Sequence, residues 1–137
     1  FPTINSLISE VLFSNENKIS NLVKASVVAV SDYLGLKTQF VLSSTVYKNE
    51  HLNGSARIID ICHKEKTNQY YNLPGGKDLY DEKLFNLNGM ELCFIQPELK
   101  SYRQFAPDFH PGLSIIDVLM FNDRDAAREM IFSFNKI

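Results

Sequence analysis

The middle of the sequence alternates short β-prone segments with helical segments, and this alternation constrains the fold more than any other feature. The β-prone segments are residues 37–43 (KTQFVLS), 70–73 and 91–95. Amphipathic helical patterns lie between them at residues 56–67 and 81–88. A helix that links two neighbouring strands runs them parallel through a right-handed crossover. We therefore predict an α/β fold, a three-layer sandwich with a small, mainly parallel sheet flanked by helices.

Helical patterns also flank this region on both sides. Apolar residues at helical spacing predict one helix over residues 3–13 and a second over residues 19–34. Gly35 is a typical residue to end the second helix. Residues 113–121 (LSIIDVLMF) and 125–134 then predict two closing helices.

Length and composition limit the classes of protein that the chain can belong to. A chain of 137 residues fits a single domain, which we predict over residues 1–137. With a net charge of -2 and 14 scattered basic residues, the sequence has no basic footprint for nucleic acid. It also has no apolar run near the ~18 residues that a membrane-spanning helix needs. We expect a cytoplasmic protein without a membrane span, a metal or a cofactor.

The positions of the two cysteines predict their role. Cys62 and Cys93 lie among apolar neighbours without CxxC spacing, which predicts reduced core residues. Cys62 and His63 are adjacent on a predicted helix and point about 100° apart, so they cannot form a nucleophile and base pair.

The sequence begins with Phe1, not Met, and has no signal peptide, so we expect a part of a longer protein.

The segment QYYNLPGGKDLY, residues 69–80, is a candidate ligand loop. In an open parallel sheet, ligands bind at the carboxyl ends of the strands, where this turn and Ser43, Ser44 and Thr45 are predicted to lie. Glycines at positions 75 and 76 can adopt positive φ and bring N–H groups close to an anion, while the following lysine supplies charge.

Other residues of the same segment weaken a phosphate-binding role. Asp78, Asp81 and Glu82 already occupy the start of the next helix, where they satisfy its dipole and repel phosphate. Walker A spacing would put Tyr71 at a glycine position and an aspartate at the magnesium-binding Ser or Thr position. A structural turn and a ligand loop therefore both stay open.

Asp117 is the carboxylate most suggestive of chemistry, because it interrupts the apolar run LSIIDVLMF. Buried with partners, it can serve as a general base. Alternatively, Ser114 and Asp117 stabilise the start of a helix. The preceding residues 96–112 form a long, aromatic-rich loop whose Tyr102, Arg103 and Gln104 either bind a polar substrate or decorate the surface.

Four segments together resemble the carboxyl-terminal half of the WbqC-like protein family, whose members are encoded in bacterial O-antigen and related polysaccharide clusters. They are ARIIDIC (56–62), YYNLPGGKDLYDEKLF (70–85), YRQF (102–105) and PGLSIIDVLMFN (111–122). The resemblance covers roughly residues 35–122. The sequence departs from the family pattern at two places. The turn is Asn-Leu-Pro-Gly-Gly, where members commonly have Leu-Ser-Gly followed by a second glycine. Ala56 stands where an acidic residue often precedes the arginine.

The resemblance implies a glycine (aminoacyl) transferase domain in O-antigen or other surface polysaccharide biosynthesis. Acyl transfer to an amine needs a base and donors to an oxyanion. On this reading Asp117 is the base, and Lys77 is the catalytic donor, assisted by the glycine amides. The substrate-binding residues are Ser43, Ser44, Arg57, Gly75, Gly76, Tyr102, Gln104 and Ser114.

The same resemblance implies the partners. They are a small-molecule substrate (an amino sugar or sugar nucleotide), activated glycine, and the missing amino-terminal half of the same chain. One alternative is a non-catalytic module that binds a nucleotide-sugar or another small polar ligand. A third interpretation makes the aromatic loop at residues 102–109 an interface to the missing half.

Overall fold

The structure, a computed structural model, describes all 137 residues apart from the side chains of Ser43 and Ser44. The chain folds into two compact units, each made of two segments. Unit 1 contains Phe1–Phe40 and Glu98–Ser133, and unit 2 contains Val41–Pro97 and Phe134–Ile137. This division into units does not test the prediction of one domain over residues 1–137, which stays a prediction.

Helices and strands are mixed along the chain, which confirms the α/β class. The helices are α1 (Pro2–Leu12), α2 (Ile19–Tyr33), α3 (Ser43–Val46), α4 (Gly54–Lys64), α5 (Glu82–Leu87), α6 (Ile115–Phe121) and α7 (Arg124–Ile131), with a 3₁₀ helix at Pro74–Leu79. The strands are β1 (Gln69–Asn72), β2 (Glu91–Pro97) and β3 (Phe134–Lys136). None of these helices combines the length and the apolar character that crossing a membrane requires.

Unit 1 is helical and has its own apolar core. Ile4 of α1, Leu34 after α2, Leu119 of α6 and Ala127 of α7 are buried together. Each of these residues lies in or next to one of the four predicted helices, which are therefore confirmed, except for the end of the last one. Gly35 ends α2 with a φ of 68°, as its position predicted.

Unit 2 contains the three-stranded sheet, in the order β1-β2-β3. Strand β1 pairs with β2 in parallel, with Gln69 opposite Glu91, and α5 makes the connection between them. The second core, formed by Ile59, Cys62, Phe85 and Met90, lies against this parallel pair. The predicted strands at residues 70–73 and 91–95 and the helices around them are therefore confirmed.

The predicted first strand at residues 37–43 is wrong. Residues 36–42 have no regular structure, and α3 begins directly after them. Phe40, Val41 and Leu42 are each 36–40% exposed, so no neighbouring strand covers them. Strand preference describes how a side chain packs on a half-buried sheet, and without a partner strand it does not form one.

The end of the chain also differs from the prediction. The last predicted helix, residues 125–134, ends at Ile131, and residues 134–136 form β3 instead. Strand β3 pairs antiparallel with β2, with Ile95 opposite Lys136. The sheet thus has one parallel and one antiparallel pair, whereas we predicted a mainly parallel sheet; the three-layer arrangement stays a prediction.

Helix α4 begins at Gly54 and not after Ser55. Asn53 is the residue that precedes its first turn, and its side chain makes no capping bond. The predicted start of this helix at residue 56 is therefore two residues late, because the left-handed φ of 52° at Gly54 lets the chain enter the helix earlier.

Candidate functional site

Asp117, in the first turn of α6, is the centre of a side-chain cluster in unit 1. The Tyr102 hydroxyl donates to Asp117 Oδ2 at 2.7 Å, and Gln104 Nε2 donates to the same oxygen at 3.0 Å. All three side chains are half-buried. Two neutral donors from the loop thus fix the position of this carboxylate.

Gln104 also closes the loop that carries it. His110 N–H donates to Gln104 Oε1 at 2.8 Å, and Gln104 Nε2 donates to His110 O at 3.1 Å. The side-chain amide therefore bonds to the backbone as a neighbouring strand would. Tyr102 packs edge-on against Phe109, with ring centroids 5.3 Å apart. The aromatic loop is thus ordered around one carboxylate.

Electrostatics keep the Tyr102 hydroxyl in its donor form. Burial raises the pKa of Tyr102 above its ordinary value of 10.0, and the hydrogen bond to Asp117 raises the pKa further. The phenol therefore keeps its proton at neutral pH and donates to the carboxylate.

Ser114 precedes α6 and caps it. Its Oγ accepts a hydrogen bond from Ile116 N–H at 3.3 Å. Asp117 lies in the first turn of the same helix, where a negative charge is favourable. The two alternatives for Ser114 and Asp117 therefore coexist: the pair stabilises the helix start, and the carboxylate also holds partners from the loop.

The Pro-Gly-Gly turn after β1 is a 3₁₀ helix and not a left-handed anion cradle. The predicted positive φ at Gly75 and Gly76 is wrong, since every glycine with positive φ lies elsewhere in the chain. Pro74 fixes a negative φ at the first position, and Gly76 N–H donates to Leu73 O at 2.9 Å. The Gly76 amide is used within the turn, which counts against its predicted role as an oxyanion donor.

Gly76 has little space for a side chain. It is buried, and a Cβ atom added to it would lie 2.7 Å from Asn72 Nδ2, whereas Gly75 is exposed and has open space around it. Lys77 is also exposed, and its Nζ lies 5.6 Å from the centroid of the Phe94 ring. This position is a cation–π contact within unit 2.

The dipole of the helix after this turn is already satisfied. Asp81 precedes α5, and its side chain accepts a hydrogen bond from Lys83 N–H at 2.9 Å. This contact agrees with the expectation that acidic residues occupy that helix start.

Arg57 belongs to a separate polar network in unit 2. Its Nε donates to Asn49 Oδ1 at 3.2 Å, and Asn49 is fully buried. Asn49 Nδ2 in turn donates to Asp60 Oδ2 at 2.6 Å, and Lys64 forms an ion pair with the same oxygen at 2.7 Å. Sequence reasoning missed this buried asparagine, because it lies in a polar segment typical of an exposed loop.

The predicted site residues thus fall into three groups. Asp117, Tyr102, Gln104 and Ser114 lie together in unit 1. Gly75, Gly76 and Lys77 share the turn in unit 2, and Arg57 lies in the network of α4. The side chains of Ser43 and Ser44 lie outside the described residues. A joint site of Asp117 and Lys77 stays a prediction.

Both cysteines have the surroundings that the sequence predicted. Cys62 and Cys93 are free and buried, and burial raises the pKa of the Cys62 thiol. His63 is exposed, with Nε2 3.1 Å from Asn88 O. In the described part of the chain, His, Cys, Asp and Glu side chains form no group of three that could hold a metal ion.

Comparisons with known proteins bear on the same segments. Neither a curated protein nor a solved structure matches the chain. The WbqC-like protein family matches residues 1–129. This range contains the four segments that suggested the resemblance and extends it to α1 and α2. The chain therefore belongs to the WbqC-like protein family.

Proposed function

We propose that this WbqC-like chain is a glycine (aminoacyl) transferase domain that acts in the cytoplasm during the synthesis of O-antigen or a related surface polysaccharide. Its substrates are an amino sugar or sugar nucleotide and an activated glycine. Its further partner is an amino-terminal half of the same protein. Membership of the family and the arrangement at Asp117 support the proposal.

The reaction joins the amine of the sugar to the carbonyl carbon of glycine. A C–N bond forms, the bond between that carbon and the oxygen of the activating group breaks, and the amine loses a proton. Asp117 takes this proton as the general base. The negative charge that develops on the carbonyl oxygen needs a hydrogen-bond donor, which is the role predicted for Lys77.

One observation carries this assignment. Both protein donors to Asp117 bond to Oδ2, and within the described residues Oδ1 has no hydrogen-bond partner. One oxygen therefore holds the carboxylate in place, and the other is available to an amine. Tyr102 and Gln104 orient the base and contact the substrate.

Two variants of the full-length protein test the base. Asp117→Asn keeps the shape of the side chain and removes the base, so glycine transfer should fall about 100-fold or more. Tyr102→Phe is the matched control, because it removes one hydrogen bond and keeps the carboxylate. Because Tyr102 orients the base and contacts the substrate, transfer should fall in this variant, but by less than in Asp117→Asn. The assay follows radiolabelled glycine from glycyl-tRNA or glycyl-adenylate to an amino-sugar nucleotide.

The stability of both variants distinguishes chemistry from loop anchoring. If Asp117 only anchors the loop, both variants should lose thermal stability, and transfer should fall in proportion to the folded fraction. Full transfer by folded Asp117→Asn contradicts the role of Asp117 as the base.

A second candidate function is a non-catalytic module that binds a nucleotide-sugar or another small polar ligand. The turn at Pro74–Leu79 favours it, because the Gly76 amide is bonded within the turn and Lys77 packs on Phe94. This function predicts thermal stabilisation of the chain by a nucleotide-sugar without any turnover. If the full-length protein transfers glycine and the Asp117→Asn substitution abolishes that transfer, the non-catalytic function is excluded.

A further inference from the structure

Asn49 connects the loop before α4 to two successive turns of that helix. It is fully buried, and its Oδ1 accepts from Arg57 Nε at 3.2 Å. Its Nδ2 donates to Asp60 Oδ2 at 2.6 Å and lies 3.5 Å from Arg57 O. A buried amide that has both of its ends bonded in this way has one fixed orientation.

The two charged residues that bond to the Asn49 side chain differ in their ion pairs. Asp60 has its own cation, Lys64, four residues later on α4, and Lys64 Nζ also donates to Tyr47 O at 2.7 Å. The hydrogen bond from Lys64, followed by that from Asn49, holds the pKa of Asp60 below its ordinary value. Arg57 has only the neutral Asn49 amide as its side-chain partner, and no carboxylate of the described residues lies within ion-pair distance of it.

Within the part of the chain that the structure describes, this arrangement leaves most of the guanidinium without a partner. An arginine side chain has five N–H donors, and here Nε supplies one to Asn49. The two Nη groups form the fork that binds carboxylate or phosphate through two parallel hydrogen bonds. Arg57 is half-buried, so an oxyanion bound to it would be partly shielded from water, which strengthens the interaction.

Asp60 also affects how an anion would bind. The hydrogen bond from Lys64 is the main cause of its lowered pKa. Asp60 itself is neutralised by Lys64 and so repels an anion less than an unpaired carboxylate would.

We propose that Arg57 binds an oxyanion of the substrate, a phosphate or a carboxylate group, and that buried Asn49 is the positioning residue that aims its guanidinium. The identity of that substrate rests on the proposed function. The diphosphate of a sugar nucleotide and the carboxylate of glycine are the two sources of such an oxyanion. The binding itself is measured without turnover, so it can fail or succeed independently of glycine transfer.

The test measures binding of sodium pyrophosphate, UDP and glycine to the 137-residue chain by calorimetry and thermal shift, against sodium chloride at equal ionic strength. Arg57→Gln should weaken binding of the preferred anion about 10-fold or more, and Arg57→Lys should restore only part of it. Lys83→Gln removes the same charge from an exposed position on α5 and should bind as the parent does. Preference for pyrophosphate and UDP identifies a phosphate site, and preference for glycine a carboxylate site.

Asn49→Ser tests the positioning role at a temperature where the variant is folded. It should weaken anion binding in the parent and have no further effect in an Arg57→Gln background, because Asn49 acts only through that arginine. A purely structural role would lower the melting temperature and leave the affinity of the folded protein unchanged.

Two results would overturn the proposal. One is a parent chain that none of the three probes stabilises beyond sodium chloride. The other is an Arg57→Gln variant that binds the preferred anion within about twofold of the parent, since a lost charge-assisted hydrogen bond should exceed that change.

Discussion

Two aspartates of the chain have different partners, and this difference determines what each can do. Asp60 is held by the ammonium group of Lys64 and by the Asn49 amide. Asp117 is held by two neutral donors, Tyr102 and Gln104. A carboxylate that is already paired with a cation contributes to stability, whereas one with neutral partners keeps its charge for a ligand. We therefore assign the substrate amine to Asp117.

Paired carboxylates make stability depend on acid pH. The pKa values of Asp60 and Glu91 lie below their ordinary values of 3.8 and 4.5, chiefly because of hydrogen bonds from Lys64 and Lys136. Folded-state pKa values that are lowered give stability that is present above the unfolded pKa and is lost as pH falls through the folded pKa. The free energy of unfolding should thus be level near neutrality and fall below about pH 4.

Urea unfolding across this pH range checks the expectation. Asp60→Asn and Glu91→Gln should each be less stable than the parent at neutral pH and should lose less on acidification. An acid limb with the same slope in both variants and the parent would show that these two carboxyl groups do not cause it.

The two adjacent glycines of the turn should respond differently to alanine. A Cβ at Gly76 would force the Asn72 side-chain amide to move, so Gly76→Ala should lower the free energy of unfolding by roughly 1 kcal/mol, the low end of the cost of overpacking. Gly75 has open space and no positive φ, so Gly75→Ala should change stability by less than about 1 kcal/mol. Thermal unfolding of the pair measures both. Equal losses would contradict the packing role of Gly76.

At the scale of single elements, side-chain caps determine where several helices begin. Asp81, Ser114 and Asp123 each accept a backbone hydrogen bond at the starts of α5, α6 and α7. The sequence predicted these helices because their apolar spacing is regular. The start of α4 was missed, because a helix that begins at a glycine has no capping side chain to mark it. A strand was wrongly predicted at residues 37–43, because local β preference cannot show that a partner strand is missing.

Ser114 offers a test that separates a cap from a substrate contact. Ser114→Ala should lower stability by about 1 kcal/mol, and Ser114→Asp, which keeps the capping oxygen, should restore it. If Ser114 also contacts the substrate, transfer by the alanine variant should fall while the protein stays folded. Unchanged stability of Ser114→Ala, measured by urea unfolding, would show that the cap contributes little.

At the scale of the whole molecule, the chain returns to unit 2 after it has completed unit 1. Strand β3, at the end of the chain, pairs with β2, and Ile137 N–H donates to Phe94 O at 2.9 Å. This return could not be predicted, because FNK is a short segment that continues a helical pattern in the sequence. Sequence reasoning reached Asp117 through the apolar run that it interrupts and Arg57 through the family resemblance, whereas Asn49 became visible only through its burial.

Removing residues 134–137 should therefore weaken the sheet. The deletion exposes the edge of β2 and removes its antiparallel hydrogen bonds, so we expect a loss of roughly 2 kcal/mol in the free energy of unfolding of unit 2. Hydrogen exchange of the β2 amides should become faster. Lys136→Gln is the control, since it removes the ion pair with Glu91, keeps the strand and should cost less stability than the deletion does. Unchanged exchange in the deletion variant would contradict a structural role for β3.

The central claim is that the oriented carboxylate of Asp117 is the base in glycine transfer. The most direct measurement is the initial rate at which the full-length protein transfers radiolabelled glycine to an amino-sugar nucleotide, compared between the parent and Asp117→Asn at equal folded concentration. We expect the parent to transfer glycine and the Asp117→Asn variant to do so at an initial rate about 100-fold or more lower. Equal rates in the two proteins, or no transfer by the parent from either activated form of glycine, would contradict it.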